Sequence, residues 1–214
     1  MLLHSLSYAP NARVVTMFLH EKGIELPIHE LESEENRSAE FAHKNPMRQI
    51  PVLEFADGFC LSENVVICDY LETEYPNPPL IGANDRERAQ TRMWVRRLDL
   101  NICEHLGNIT RFGVARNYFK RHIPVIPEII PGLKTIVTER LKWLDGQMAD
   151  GRTFICGERF SLADIFLFCF LDFADTMVEP IDRADERVAA WLERMRARPS
   201  ALATHPRYPR RAAR

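Results

Sequence analysis

The chain has 214 residues, of which 46% are hydrophobic and 27% are charged. These proportions are ordinary for a globular protein and exclude collagen, coiled-coil and intrinsically disordered classes. The formal charge of −2 conceals an asymmetry, because residues 1–79 carry five basic and thirteen acidic side chains while the remainder carries 23 basic and 17 acidic ones. The reversal of sign near residue 80 predicts two structural units.

Several classes of partner are not expected. The longest uncharged apolar run, residues 165–171, is far shorter than the ~20 residues that span a bilayer. The N-terminus has no basic segment followed by an apolar core, and the five cysteines contain no Cys-x-x-Cys pair, so we expect a cytoplasmic protein without a membrane partner. Mixed charges in the second half argue against nucleic acid, and the histidine spacings imply no metal.

The first eighty residues alternate strand and helix patterns in the order β-α-β-α-β-β-α. Gly23 is expected to end the first helix, and Asp57-Gly58 is a hairpin turn signal. Strand patterns cover residues 1–4, 25–31, 52–55 and 59–61, and helix patterns cover residues 12–22, 38–44 and 64–75. This unit, residues 1–79, is therefore predicted to be an α+β domain.

Prolines at positions 76, 78 and 79 form a stiff connector, followed by a predicted linker over 80–85. Beyond it apolar side chains recur every three to four residues, which predicts an all-α domain over residues 86–205. Ser161 and Asp164 precede a segment that is apolar on every side, and their spacing predicts a structural capping box. The last helix is predicted over 184–197, and the basic tail 206–214 is expected to be flexible.

A cluster of polar and proline residues points to a ligand site in the first unit. Pro51 stands just before a predicted strand, so an extended peptide would pair with the backbone of Ile50 as an added strand. Glu63 and Asn64 lie at a predicted helix N-terminus, where free N–H groups attract a carboxylate and Glu63 would bind an ammonium. Together they indicate a receptor for an α-amino acid head joined to a peptide body.

Three motifs in this order and spacing resemble the glutathione transferase superfamily: NPMRQIPVLE from residue 45, LSENVVICDYLE from residue 61 and GERFSLADIFL from residue 157. The resemblance runs from residue 1 to about residue 200. It implies a thioredoxin-like N-terminal domain with a cis peptide bond at Pro51, and an all-helical C-terminal domain that lines the electrophile site. It also implies a homodimer that uses glutathione as co-substrate in detoxification.

The resemblance assigns the glutathione contacts residue by residue. Ile50 would pair its backbone with the cysteinyl part, Glu63 would hold the γ-glutamyl ammonium, and Asn64 would contact the γ-glutamyl carboxylate, where the family usually has serine. Arg48 and Gln49 lie where the family places polar or basic contacts near the tripeptide. For Arg48, a solvated loop charge is the alternative reading.

The thiol-activating residue departs from the family pattern. The family commonly places Tyr, Ser or Cys four residues before the arginine that corresponds to Arg13, and here that position is Ala9. The candidates nearby are Tyr8, Asn11 and Ser7, each able to hydrogen-bond the glutathione sulfur and favour its thiolate. Alternatively, Tyr8 packs in a domain interface and Asn11 caps the first helix.

We expect a glutathione transferase that adds the glutathione thiolate to a small hydrophobic electrophile. No cysteine precedes Cys60, which disfavours branches of the superfamily that use a protein thiol. Two alternatives stay open. Pro10-Asn11 and the alanine at position 9 suggest a glutathione-dependent disulfide or peroxide reductase, whereas Ala9 with Asn64 suggests a non-catalytic binding or regulatory protein on the same fold.

Overall fold

The computed structural model describes residues 1–177 and 186–205. The chain divides into two compact units, one formed by residues 1–79 with the segment that begins at Arg198, the other by Leu80–Ala197. The predicted tail, 206–214, lies outside the described residues, as do the first two positions of the predicted last helix, 184 and 185.

The first unit contains a four-stranded mixed sheet with the strand order β2-β1-β3-β4. β1 pairs with β2 in parallel, and the other two pairings are antiparallel. The elements are β1 (Leu2–Ser5), α1 (Pro10–Lys22), β2 (Ile28–Glu30), α2 (Ala39–Lys44), β3 (Val52–Glu54), β4 (Cys60–Ser62) and α3 (Asn64–Glu74). The predicted βαβαββα order and the thioredoxin-like α+β class are confirmed.

Helix α1 has a sequence signal at each end, a proline at its start and a glycine after its last residue. It begins two residues earlier than predicted, because Pro10 occupies the first turn, where its missing N–H and fixed φ are tolerated. It ends at Gly23, which adopts the left-handed conformation with φ of 64°. The apolar face of α1 is buried, and Phe18 is among the largest fully buried side chains.

Strand β2 is shorter than the predicted 25–31 and lies at the edge of the sheet. Ile28 is 48% exposed, so the alternation around it does not mark a core face. Only Leu31, just beyond the strand, is buried, in a cluster with Phe41 of α2 and Val52 of β3. Ser38 begins α2 by accepting a hydrogen bond from the backbone N–H of Phe41 at 3.0 Å.

The second unit is all-helical over its described residues, as predicted. Its helices are α4 (Asp85–Leu98), α5 (Glu104–Phe112), α6 (Arg116–Phe119), α7 (Ile130–Gln147), α8 (Leu162–Met177) and α9 (Glu186–Arg196). α4 packs against α8, and α5 packs against α7. Between α4 and α5 the chain forms a π turn over Asp99–Cys103, an insertion of one residue into the helical repeat.

The start of α8 shows the predicted capping pair in a modified form. The Asp164 carboxylate accepts the Ser161 backbone N–H at 3.0 Å and the Ser161 hydroxyl at 3.1 Å, both through Oδ2. Its Oδ1 accepts the Ile155 N–H and the Trp191 indole N–H, each at 2.9 Å. Burial raises the pKa of Asp164 to about 6 against the opposing effect of these donors.

The division into two units concerns the segments at both ends of the helical unit. Leu80 and Ile81 are buried in the second unit, and the Leu80 carbonyl accepts the Leu162 N–H at 2.8 Å. The linker predicted over 80–85 therefore begins inside that unit. The same division places residues 198–205, which the sequence assigns to the helical domain, with the first unit.

Polar contacts explain why the last described segment belongs to the first unit. It contains α10 (Pro199–Ala203), and the Arg13 guanidinium of α1 donates to the Ala201 carbonyl at 3.1 Å. The Arg198 guanidinium donates to both carboxylate oxygens of Glu21 at 2.8 Å. Burial opposes ionisation of Glu21, but hydrogen bonds from Arg198 and Ser200 hold its pKa below the usual value.

Candidate functional site

The segment before β3 presents an open backbone edge. The Ile50-Pro51 peptide bond is cis, as the family resemblance implies, and Ile50 is half-buried against the cluster of Leu31, Phe41 and Val52. Within residues 1–177 and 186–205, the N–H and C=O of Ile50 have no hydrogen-bond partner. This edge is able to pair with an extended peptide in the manner of an added strand.

Two buried asparagines to which the sequence assigned no role hold this segment in place. Asn45 donates from Nδ2 to the Gln49 carbonyl at 2.9 Å, and its Oδ1 accepts the Met47 N–H at 3.0 Å. Asn36 donates to the Arg48 carbonyl at 2.8 Å. The Asn-Pro dipeptide at position 45 is a known turn signal and could have identified Asn45. No local pattern marks Asn36.

Arg48 and Gln49 are both exposed beside Ile50. The Arg48 guanidinium donates from Nη1 to the Arg37 carbonyl at 3.0 Å, and its backbone has a positive φ of 54°. The Gln49 side chain has no hydrogen-bond partner in the part of the chain that the structure describes. The Arg48 side chain therefore already stabilises the loop by a hydrogen bond, whereas the side-chain amide of Gln49 is available to bind a ligand.

The N-terminus of α3 combines a free carboxylate with free backbone donors. Glu63 immediately precedes the helix with φ of 70°, makes no side-chain cap, and is exposed. Positive φ in a non-glycine residue is uncommon and concentrates at functional sites. No cation is paired with the Glu63 carboxylate among the described residues. The first intrahelical bond runs from the Ile67 N–H to the Glu63 carbonyl, so the N–H groups of the first turn have no intrahelical acceptor.

Asn11 and Asn64, predicted separately for the thiol and carboxylate ends of a ligand, are in direct contact. Asn64 Nδ2 donates to Asn11 Oδ1 at 2.6 Å, and Asn64 is only 7% exposed. Ala9 is the residue before α1 and makes no side-chain cap. The alternative reading, in which Asn11 caps this helix, is therefore wrong. Nothing in the described ranges accepts a hydrogen bond from Asn11 Nδ2.

Ser7 and Tyr8 lie in the turn between β1 and α1. This turn is closed by the Ala9 N–H, which donates to the Leu6 carbonyl at 2.9 Å. Ser7 is exposed, and its backbone N–H donates to the Glu30 carboxylate at 2.6 Å. Tyr8 is half-buried. The turn thus places both hydroxyl side chains immediately before the helix that carries Asn11.

The described residues contain neither a metal centre nor a membrane-spanning helix. No group of three or more His, Cys, Asp or Glu side chains there is arranged to hold a metal ion. None of the described helices has the length and apolar character needed to cross a membrane. None of the five cysteines, all of which lie in the described part of the chain, forms a disulfide bond, and Cys60 is partly exposed whereas the other four are buried.

Comparison with known proteins bears on both units. The family model described as the glutathione S-transferase N-terminal domain matches residues 3–79, and the C-terminal domain model matches residues 127–207. Glutathione S-transferase GstA of Escherichia coli O157:H7 is 30% identical over 157 residues, covering 72% of this chain and 71% of that protein. Glutathione S-transferase 2 of Saccharomyces cerevisiae is 27% identical over 174 residues, covering 78% and 71% respectively.

A solved structure shows the same architecture. A glutathione S-transferase domain-containing protein from Marinobacter aquaeolei VT8 superposes with a TM-score of 0.86 at 27% identity, covering 94% of this chain and all of that one. A thioredoxin-like unit followed by a helical unit defines the fold class. The chain belongs to the glutathione S-transferase family.

Proposed function

We propose that the protein binds reduced glutathione on its first unit and catalyses addition of the glutathione thiolate to a small hydrophobic electrophile. The observation that carries this proposal is the set of unsatisfied groups around β3 and α3. They comprise the free backbone edge of Ile50, the exposed carboxylate of Glu63 and the N–H groups at the start of α3 that have no intrahelical acceptor. These complement the peptide, the ammonium and the carboxylate of a γ-glutamyl tripeptide.

In the proposed reaction the protein would lower the pKa of the bound thiol. A free thiol has a pKa of about 8.5, and only the thiolate is a strong nucleophile. Hydrogen-bond donors aimed at the sulfur favour the thiolate, and Asn11, Tyr8 and Ser7 are the candidates. The thiol proton leaves to solvent and a carbon–sulfur bond forms. With an aryl halide as electrophile, the halide departs. Holding both reactants together supplies the rest of the acceleration.

The test combines retention on immobilised glutathione with two turnover assays, one using an activated aryl halide and the other a mixed glutathione disulfide. We expect retention, and faster turnover of the aryl halide. Faster turnover of the disulfide would replace the proposal with a glutathione-dependent reductase. Binding without either turnover would indicate a non-catalytic binding or regulatory protein. Failure to bind glutathione would contradict the whole proposal.

The proposal includes a cytoplasmic homodimer that acts in detoxification. Five cysteines that form no disulfide bond suit a reducing compartment. Large apolar side chains exposed on the first unit, those of Met47, Phe59 and Val66, are candidates for burial in a subunit interface. Sedimentation equilibrium should give twice the chain mass of 24.8 kDa. A monomer at all accessible concentrations would contradict the dimer.

A further inference from the structure

We propose that Asn64 is a positioning residue that orients the amide of Asn11 so that its Nδ2 donates to the glutathione sulfur. This inference rests on the proposed function, because it concerns the state of the bound thiol. Its starting point is the 2.6 Å hydrogen bond from Asn64 Nδ2 to Asn11 Oδ1. It gives Asn64 a role in activating the thiol besides the expected contact with the γ-glutamyl carboxylate.

The first step concerns which end of the Asn11 amide faces the ligand. A side-chain amide has an oxygen that only accepts and a nitrogen that only donates. Because the Asn11 oxygen is bound to Asn64, its nitrogen is directed away from Asn64 and has no partner in the described part of the chain. A thiolate is stabilised by a donor and repelled by a carbonyl oxygen. With Asn64 as the donor, the contact holds the Asn11 amide in the orientation that presents its nitrogen to the ligand.

The second step concerns how Asn64 can serve both ends of the ligand. Its Nδ2 carries two protons, and one of them is used by Asn11. The other is available to the γ-glutamyl carboxylate beside the N-terminus of α3. Hydrogen bonds would then connect the γ-glutamyl carboxylate to Asn64, Asn64 to Asn11, and Asn11 to the thiolate. Each of the two anions would accept a hydrogen bond from a side-chain amide. Hydrogen bonds linked in this way polarise and strengthen one another.

The third step explains why asparagine differs from the serine that is usual in the family. A serine hydroxyl carries one proton, so it cannot donate to a carboxylate and to Asn11 at once. It is also one bond shorter than the asparagine amide. Since Asn64 is buried, its amide is held by its surroundings rather than free to swing. Asparagine at this position thus compensates for Ala9, which cannot contact the thiol by hydrogen bonding.

The test is the pKa of the bound thiol, measured from the ultraviolet absorbance of the thiolate as a function of pH. The variants are Asn64→Ser, Asn11→Ala and the double variant, with glutathione affinity measured in parallel. In Asn64→Ser we expect little change in glutathione affinity at pH values below the pKa of the bound thiol, a raised thiol pKa, and, at saturating glutathione near neutral pH, about a tenfold loss of kcat/KM for the electrophile, the size typical of a lost hydrogen bond to a charged group. The loss should vanish at alkaline pH, where the thiol ionises unaided.

The double variant separates positioning from a merely structural role. If Asn64 acts through Asn11, the Asn64→Ser change should have no further effect on the thiol pKa once Asn11 is alanine. Asn84→Ser is the matched control, because Asn84 caps α4 in the second unit through the Glu87 N–H and serine also caps helices. It should leave the thiol pKa unchanged.

The outcomes are distinguishable. A wild-type protein that does not bind glutathione overturns the proposed function and this inference together. A wild-type protein that binds glutathione with a lowered thiol pKa upholds the proposed binding. In that case the inference alone is overturned if Asn64→Ser leaves the thiol pKa unchanged, or if its effect persists in full when Asn11 is alanine.

Discussion

Helices α8 and α3 begin with acidic motifs of similar appearance, but the two units of the protein use them differently. In the helical unit, the buried Asp164 carboxylate accepts hydrogen bonds from Ile155, Ser161 and Trp191. In the first unit, the Glu63 carboxylate is exposed and has no ion-pair partner among the described residues. The Asp164 carboxylate has its hydrogen-bond donors within the protein and stabilises the fold, whereas the Glu63 carboxylate can be paired only by a ligand. The comparison shows that a polar motif indicates binding only where the protein leaves it unsatisfied.

Replacement of Asp164 should give the largest effect. Asp164→Ala leaves two backbone N–H groups and an indole N–H without an acceptor in the core of the helical unit. We expect the free energy of unfolding to fall by about 3–5 kcal/mol, as for other broken buried networks. Denaturant unfolding monitored by tryptophan fluorescence measures it. A loss below about 1 kcal/mol would show that the network is not structural.

The same carboxylate should produce a distinctive dependence on pH. Its folded-state pKa of about 6 lies above the ordinary aspartate pKa of about 3.9, so its contribution to stability is fully present below the unfolded-state pKa and is lost as pH rises to about 6. The stability difference between wild type and Asp164→Asn should fall by about 3 kcal/mol over this window. Carboxyl groups with lowered pKa values, such as Asp145, make the protein more stable as pH rises. Both proteins contain these groups, so their contributions cancel in the stability difference between wild type and Asp164→Asn. A stability difference that did not change with pH would contradict the raised pKa of Asp164.

Neutralising Glu63 should weaken binding and leave the fold intact. Glu63→Gln keeps the size of the side chain but removes the charge that would face the γ-glutamyl ammonium. We expect the glutathione dissociation constant to rise by about tenfold, with unfolding unchanged. Glu74→Gln is the matched control, since it makes the same charge change at the opposite end of α3. Equal effects of the two variants on glutathione binding would assign the loss to net charge alone.

The contact that anchors the last described segment should give the smallest effect. Arg198→Ala removes the bidentate pair with the half-buried Glu21 carboxylate. We expect a loss of about 1–2 kcal/mol in the free energy of unfolding. Thermal unfolding of Arg198→Ala and Arg198→Lys would measure it, and lysine should restore only part of the loss because it cannot bind both oxygens. An unchanged transition temperature would contradict this anchoring role.

The sequence predicts the fold class and the local parts of the site well, because both depend on neighbouring residues. The first unit's element order follows from apolar periodicity, and Pro51 and Glu63 are marked by their positions before a strand and a helix. Edge exposure of β2 is not predicted, because alternation around Ile28 does not reveal whether a strand has a neighbour on each side.

Contacts between residues distant in the chain could not be predicted. The sequence gives no sign that Asn64 meets Asn11, that Trp191 binds Asp164, or that Arg198 binds Glu21. Each pair lies on separate elements, and its distance depends on how those elements pack. The same limit explains why the sequence does not predict that the second unit begins at Leu80. That residue is held in the second unit by a hydrogen bond from the Leu162 N–H, at the start of α8, to its carbonyl.

A crystal structure with glutathione bound tests the central claim most directly. The account predicts that the cysteinyl backbone pairs with Ile50, that the ammonium lies against Glu63, and that the sulfur lies within hydrogen-bond distance of Asn11 Nδ2. Asn11 Oδ1 should remain bound to Asn64. Glutathione seated away from the Ile50 edge, or a sulfur that contacts other groups while Asn11 faces elsewhere, would contradict it.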